Sequence, residues 1–331
     1  MSSDETDILM EGAYRNLLAE CECCPRACGV DRYEGEGGFC RTGARVRVSR
    51  ACLHHGEEPP ISGTRGSGTI FFMGCNLRCA FCQNHQISQE WTGRPGRALG
   101  TDELASEMLR LQAEGAHNIN LVSPSHVAFQ VAEGIEAAIA AGLEIPVVYN
   151  SNGYDSVSTL RRIRGLVSIY LPDIKYMDNG LGARLSAVDD YADVIGPVLE
   201  EMLDQVGPLK TDGEGVATRG LLVRHLVLPG QMENSRRCLK LLSELDRSLP
   251  VSLMSQYSPQ HIARHHPGID RPLAVEEYEE ITAFALDCGL ENAFVQEMAS
   301  RAHYLPDFDR ERPFESGAPA ERRAGSRACR G

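Results

Sequence analysis

Long apolar runs are missing from this sequence, and aromatic residues are scarce: 6% of 331 residues, with a single Trp. No stretch approaches the roughly 18 apolar residues of a membrane span, so no membrane association is expected. Basic residues are also short. Lys and Arg number 33 against 46 Asp and Glu, a net charge of −13, which argues against a nucleic-acid or anionic-membrane partner. The opening residues, MSSDETDILMEG, lack the basic-then-apolar pattern of a secretory signal. A cytoplasmic, reducing setting is therefore expected, where clustered cysteines read as metal sites or catalytic groups rather than disulfides. Beyond residue 82 cysteine is rare, with only Cys238, Cys288 and Cys329. The other nine of the 12 cysteines crowd into the first 82 residues.

Composition is otherwise that of a globular protein, with 42% hydrophobic and 24% charged residues. Residues 1–65 form a Cys-, Gly- and Pro-rich N-terminal extension with little periodicity, which needs a metal or the main domain to hold it. From there the pattern changes. Apolar strand-type runs at 69–73, 118–122, 146–149, 167–171, 221–228 and 251–254 alternate with segments of helical period. Thr101 with Asp102 and Glu103 marks a helix start. A helical stretch over about 187–206 is expected to kink near Gly196-Pro197. Six alternations with short connections predict an α/β core over 66–300 built on a parallel sheet. Pattern alone leaves a doubly wound sheet and an open barrel as alternatives, and in both the function sits at the C-terminal ends of the strands. Residues 301–331 read as a C-terminal extension, disordered from about 313.

The first core strand runs directly into Gly74-Cys75-Asn-Leu-Arg-Cys79-Ala-Phe81-Cys82. Three thiolates at C-x3-C-x2-C spacing can wrap one face of a [4Fe–4S] cluster, which normally takes four cysteines. Three leave one iron open for a substrate or cofactor. A structural zinc site that borrows a fourth ligand is the alternative.

The C-x3-C-x2-C motif with an aromatic before its last cysteine resembles that of the radical S-adenosylmethionine (radical SAM) superfamily. The resemblance extends over roughly residues 20–300. Gly56-Glu-Glu-Pro-Pro-Ile-Ser-Gly63, Cys82-Gln-Asn84, Tyr149-Asn-Ser-Asn-Gly153, Leu171-Pro-Asp-Ile-Lys175 and Arg224-His-Leu-Val-Leu-Pro-Gly230 look like the PflX-type homologues of pyruvate formate-lyase activating enzyme. The resemblance implies a partial (β/α)6 TIM-type barrel. It also implies a [4Fe–4S] cluster on Cys75, Cys79 and Cys82 that cleaves S-adenosylmethionine into methionine and a 5′-deoxyadenosyl radical, which takes a hydrogen atom from a substrate. A glycyl-radical enzyme would be that substrate for an activase; another peptide or a small molecule is the alternative. An electron donor such as flavodoxin or ferredoxin is implied as a partner. A non-catalytic zinc or iron–sulfur protein is the competing class.

Further positions carry over one at a time. The Gly-Gly-Glu-like element that usually follows the second strand is replaced by Ser123-Pro124-Ser125-His126, which makes Ser123 and Ser125 the candidates for the methionyl amino group. Where the activating enzymes resemble Asp-Thr-Asn-Gly, this chain has Asn150-Ser151-Asn152-Gly153, so Asn150 and Asn152 offer polar contacts without a cation-binding carboxylate. Asp173 and Lys175 match the element after the fourth strand, and Lys175 could neutralise the methionyl carboxylate. Arg224 lies mid-strand in an apolar run and needs a partner, which favours a site role.

Cys21, Cys24, Cys28 and Cys40 offer four thiolates to a second metal site, either zinc or an auxiliary iron–sulfur cluster, with Cys23 a substitute for Cys24. His54, His55, Glu57 and Glu58 read equally as active-site lining or as a structural loop. Gln256 and Tyr257 face the same mouth as the cysteines by topology. His261, His265 and His266 read as solvated loop residues. Cys52, Cys238, Cys288 and Cys329 are left without a role.

Overall fold

A computed structural model describes residues 14–35, 37–298, 305–310 and 313–314. Its strands are β1 (Val46–His54), β2 (Ser67–Phe72), β3 (Arg97–Leu99), β4 (Ile119–Val122), β5 (Val147–Asn150), β6 (Ile169–Tyr170), β7 (Lys210–Thr211), β8 (Ala217–Leu221), β9 (Val223–Leu226), β10 (Val251–Met254) and β11 (Ala293–Val295). They form an eight-stranded sheet in the order β3-β1-β2-β4-β5-β6-β8-β7 and a three-stranded sheet, β11-β10-β9. β2, β4, β5, β6 and β8 run parallel, as do β9, β10 and β11. Asp173 and Arg224 join the two sheets by a parallel bridge. The result is an α/β fold with a mostly parallel sheet. A doubly wound sheet reverses its strand order at a switch point; here the parallel strands follow chain order.

The connecting helices form for the reasons the sequence shows. In Thr101–Ala113, Leu104, Met108 and Leu111 recur at helical spacing and are buried. Glu103 Oε2 accepts the Gly100 N–H at 2.8 Å, which satisfies a donor that has no partner within the helix. Ala128–Ala140 packs beside it through Val131 and Ile135, in one cluster with Val46, Val48, Ile70 and Ile119. Each such Leu or Ile contributes about 1.5–3 kcal/mol by leaving water. The stretch expected over about 187–206 is one helix, Tyr191–Val206, which runs on through Pro197; a separate helix, Asn179–Ser186, precedes it.

Three boundaries differ from expectation. β1 is a nine-residue strand paired antiparallel with β2 from Val48 to His54, so residue 65 does not separate an extension from a core. The N-terminal half of the strand alternates buried and half-buried, and its ladder to β2 supplies the order that its composition does not. The expected fifth strand is two strands, β8 and β9, which belong to different sheets. At the other end, Phe314 lies against His54 and Phe71, with ring centroids 4.3 and 5.3 Å away. The described part of the tail therefore reaches past 313; residues 315–331 lie outside the described residues. No described helix is long and apolar enough to cross a membrane.

Candidate active site

β2 is buried along its whole length and delivers the chain to Gly74 and Cys75 at its C-terminal end. Gly74 adopts φ +84, and a Cβ there would come within 2.9 Å of the Cys40 carbonyl oxygen. Glycine is required for the turn and for the close approach of the Cys40 loop. The cysteine loop is then clamped from outside. Arg26 Nε donates to the Asn76 carbonyl at 3.0 Å, and Arg78 donates to the carbonyls of Cys75 and Phe39. The Phe39 ring lies under both guanidiniums, 3.7 Å from Arg26 Cζ and 4.2 Å from Arg78 Cζ.

Cys75, Cys79 and Cys82 line one cavity of about 240 Å³ with Ser123, Asn150, Asn152, Asp173, Lys175 and Arg224. Each thiol has a polar neighbour. Asn152 Nδ2 lies 3.4 Å from Cys75 Sγ, Ser186 Oγ donates to Cys79 Sγ at 3.0 Å, and Cys82 Sγ lies 3.3 Å from Ser88 Oγ. Burial pushes the Cys75 thiol up to about 11 and the Cys82 thiol up to about 12. Thiolates at these positions therefore call for a metal's positive charge.

Across the cavity, Arg224 is the hub of a buried ionic network. Its Nε donates to Asp173 Oδ1 at 2.9 Å and its terminal nitrogens reach Asn150 Oδ1 at 2.5 Å and Glu57 Oε2 at 3.4 Å. Lys175 Nζ donates to Asp173 Oδ2 at 2.6 Å. Burial alone would raise the Asp173 pKa, but Arg224 and Lys175 outweigh it and hold the carboxyl below its usual value. The Glu57 carboxyl is pushed up by burial, against the pull of Arg224 and Asn120.

A sequence profile described as the radical SAM superfamily matches residues 69–196, a span that contains the three cavity cysteines. The chain belongs to the radical SAM superfamily. It is 31% identical over 276 residues to an uncharacterised protein of Methanocaldococcus jannaschii, covering 82% of this chain and 75% of that one. A second uncharacterised protein of that organism is 23% identical over 297 residues, covering 83% and 80%. Among solved structures, SuiB of Streptococcus suis bound to S-adenosylmethionine superposes with a TM-score of 0.47 and 14% identity, over 68% of this chain and 48% of that one. HydG, a maturase of the [FeFe]-hydrogenase, gives a TM-score of 0.44 and 11% identity, over 67% and 48%. The chain spans about half the length of these solved structures.

Radical SAM proteins use a [4Fe–4S] cluster and S-adenosylmethionine, and the donor set of the cavity fits both. The three thiols face one space, and His85, Glu90 and His261 form a separate group whose donor atoms lie within 4.8 Å of one another. A cubane holds its thiolates at separate corners, farther apart than the ligands of one ion.

The sequence-predicted residues of this radical SAM protein divide as follows. Ser123, Asn150, Asn152, Asp173, Lys175 and Arg224 reach the cavity, and so do His54, Glu57 and Gln256. Ser125 does not line it. The 3-10 turn Pro124–His126 turns Ser125 into the packing, where its carbonyl accepts the Cys23 thiol at 3.5 Å. Tyr257 also turns inward, buried beneath Phe81 with ring centroids 6.0 Å apart. His261 is not a solvated loop residue. Its side chain is 14% exposed and its ring stacks on His85, with centroids 4.8 Å apart. Cys52 is disulfide-bonded, against the expectation for the cysteine-rich region.

Cys21, Cys23, Cys24 and Cys40 are buried and Cys28 is exposed. Between them lies Arg32, only 2% exposed. It donates to Cys21 Sγ at 3.1 Å, to Cys40 Sγ at 3.6 Å and to the His126 carbonyl at 2.7 Å. Arg32 is absent from the sequence-based expectations, although an arginine between Cys28 and Cys40 was its signal.

The loops after β5 and β6 are locked together at Gly153. The Tyr191 hydroxyl sits 2.8 Å from the carbonyls of both Asn152 and Asp173. A Cβ at Gly153, where φ is +78, would meet the Asp173 carbonyl, Tyr191 Oη and Ile195. Gly153→Ala is expected to cost at least about 1–3 kcal/mol from backbone strain and to push Asn152 away from Cys75. A lowered melting temperature together with weaker cluster retention checks this.

Proposed function

We propose that this chain is a PflX-type relative of pyruvate formate-lyase activating enzyme that cleaves S-adenosylmethionine reductively and takes a hydrogen atom from a substrate in the cavity. The observation that carries this reading is the placing of Cys75, Cys79 and Cys82 opposite the Arg224–Asp173–Lys175 network in one cavity. Cys75, Cys79 and Cys82 would hold the cluster. When bound, it supplies one electron and an open iron to S-adenosylmethionine, whose S–C5′ bond then breaks.

The chain's own residues bind, orient and exclude water. Lys175 and Arg224 share Asp173, and burial draws Glu57 toward its neutral form. Two cations against one firmly ionised carboxylate leave positive charge for an anionic group, and the methionyl carboxylate supplies one. Asn150 fixes the Arg224 guanidinium, and Asn152 fixes Cys75. Phe71, Val122, Leu226, Met254 and Phe314 form the apolar part of the lining, which keeps water from a reactive carbon centre. Pro306 and Phe314 wall the cavity. A protein loop would have to displace them, so a small molecule or a single inserted side chain is favoured over a glycyl-radical enzyme. Chain-order winding and the contact of Phe81 with Tyr257, between the loops after β2 and β10, support a partial barrel.

A second centre at Cys21, Cys24, Cys28 and Cys40 is supported by Arg32. A buried guanidinium without an anion is costly, and thiolates on a metal carry the negative charge it needs. Zinc and an iron–sulfur cluster both meet that need.

Anaerobic reconstitution with iron and sulfide, followed by a 5′-deoxyadenosine assay with dithionite, tests the proposal. Nucleoside formed in proportion to enzyme supports it; a zinc-only protein without nucleoside product overturns it.

A further inference from the structure

We propose that His85, Glu90 and His261 form a divalent transition-metal site that ties the cysteine loop to the loop after β10. The donor atoms lie within 4.8 Å of one another, with each imidazole Nδ1 beside the carboxylate. His85 Nδ1 lies 3.3 Å from Glu90 Oε2, and His261 Nδ1 lies 3.2 Å from Glu90 Oε1. Metal bonds of about 2.0–2.1 Å place two ligands of a tetrahedron roughly 3.4 Å apart. The imidazoles stack with 17° between their planes and centroids 4.8 Å apart, so one ring would turn for both in-plane lone pairs to meet a shared ion.

Three further observations point to a ligand rather than to a self-contained triad. His85 Nδ1 is buried and makes no hydrogen bond despite its closeness to the carboxylate, which leaves a polar atom unsatisfied. His261 adopts φ +51, a conformation that persists in a non-glycine residue when surrounding constraints impose it. The His261 side chain is only 14% exposed although it stands in a loop. Two imidazoles and a carboxylate suit zinc, ferrous iron or cobalt and leave a position for water.

None of the three residues lines the cavity, so the metal would act as a fastener. His85 opens the short helix His85–Ser88 just after Cys82, and its N–H donates to the Cys82 carbonyl at 3.3 Å. His261 follows Gln256, whose carbonyl accepts Gln83 Nε2 at 3.5 Å. An ion here would pin the end of the cluster loop to the far side of the strand row.

The test uses the full chain and Zn2+ as probe, with bound zinc counted after gel filtration. Wild type should retain one equivalent more than Glu90→Gln or His261→Asn; asparagine is chosen because it tolerates the left-handed backbone. With Co2+, the difference spectrum should show d–d bands without the strong sulfur-to-metal charge transfer of a thiolate site. Hydrogen exchange across 258–266 should slow on adding Zn2+ to wild type and stay unchanged in the variants. Equal zinc in wild type and both variants, or a difference spectrum dominated by sulfur charge transfer, overturns the proposal. Loss of the zinc equivalent from the Cys79→Ala protein but not from Glu90→Gln does the same. Circular dichroism confirms that the variants fold.

Discussion

Replacing Cys79 with alanine should remove 5′-deoxyadenosine formation down to the background of S-adenosylmethionine with dithionite alone. Three thiols face the cavity, and the other two cannot hold a cubane that normally takes four cysteines and here would leave only one iron unligated. Cys79 Sγ also accepts the Ser186 hydroxyl at 3.0 Å, so the truncation leaves that donor idle while the packing around Cys75 and Cys82 stays in place. Iron content is the second reading of the same experiment. With an auxiliary cluster at the N-terminal cysteines, iron in Cys79→Ala should fall by about half, since one of two [4Fe–4S] clusters remains. Without one it should fall to the background of adventitious iron. Nucleoside formation that survives in Cys79→Ala would exclude the cluster assignment.

Arg224→Ala should be the most destabilising single substitution in the network, at about 3–5 kcal/mol, because it breaks a buried ion pair and leaves Asp173 with Lys175 alone. Asp173, Glu57 and Arg224 side chains are only 17%, 11% and 15% exposed. The loss also removes the side-chain link that reinforces the bridge between the two sheets. Chemical denaturation should show a lower midpoint at pH 7, and Arg224→Lys should recover part of it. In an Arg224→Ala background, Glu57→Gln should change stability little at pH 7, because burial already draws Glu57 toward its neutral form. A large gain or loss from Glu57→Gln would show that Glu57 is ionised there.

The site was more legible than the frame around it. Cys75, Cys79 and Cys82 are read from local spacing, Asp173 and Lys175 from the element after the fourth strand, and Arg224 from a charge inside an apolar strand. Both kinds of signal survive without knowledge of distant contacts. Ser125 misled because serine beside proline reads as a polar loop, whereas its side chain direction is set by the turn Pro124–His126. β1 escaped because its signal, Val46 and Val48 alternating with Arg47 and Ser49, is spread over a cysteine- and glycine-rich region, and its order comes from pairing with β2. The partnership of His85 with His261 was invisible for a different reason: 176 residues separate them, and no local periodicity reports a contact between loops.

The Phe39 ring held between Arg26 and Arg78 has a thermodynamic meaning. Residues 21–45 bring few apolar side chains of their own, and the cysteine loop brings few regular backbone hydrogen bonds. Each segment is ordered largely by the other, through Phe39, the Asn76 carbonyl and the close approach at Gly74. The entropy lost in shaping one is then already spent when the other binds its metal. Any affinity that the second centre lends the first is returned in equal measure, because coupling between two binding events is reciprocal. With a metal at each motif, the cysteines divided by sequence into two sets would load as one cooperative unit.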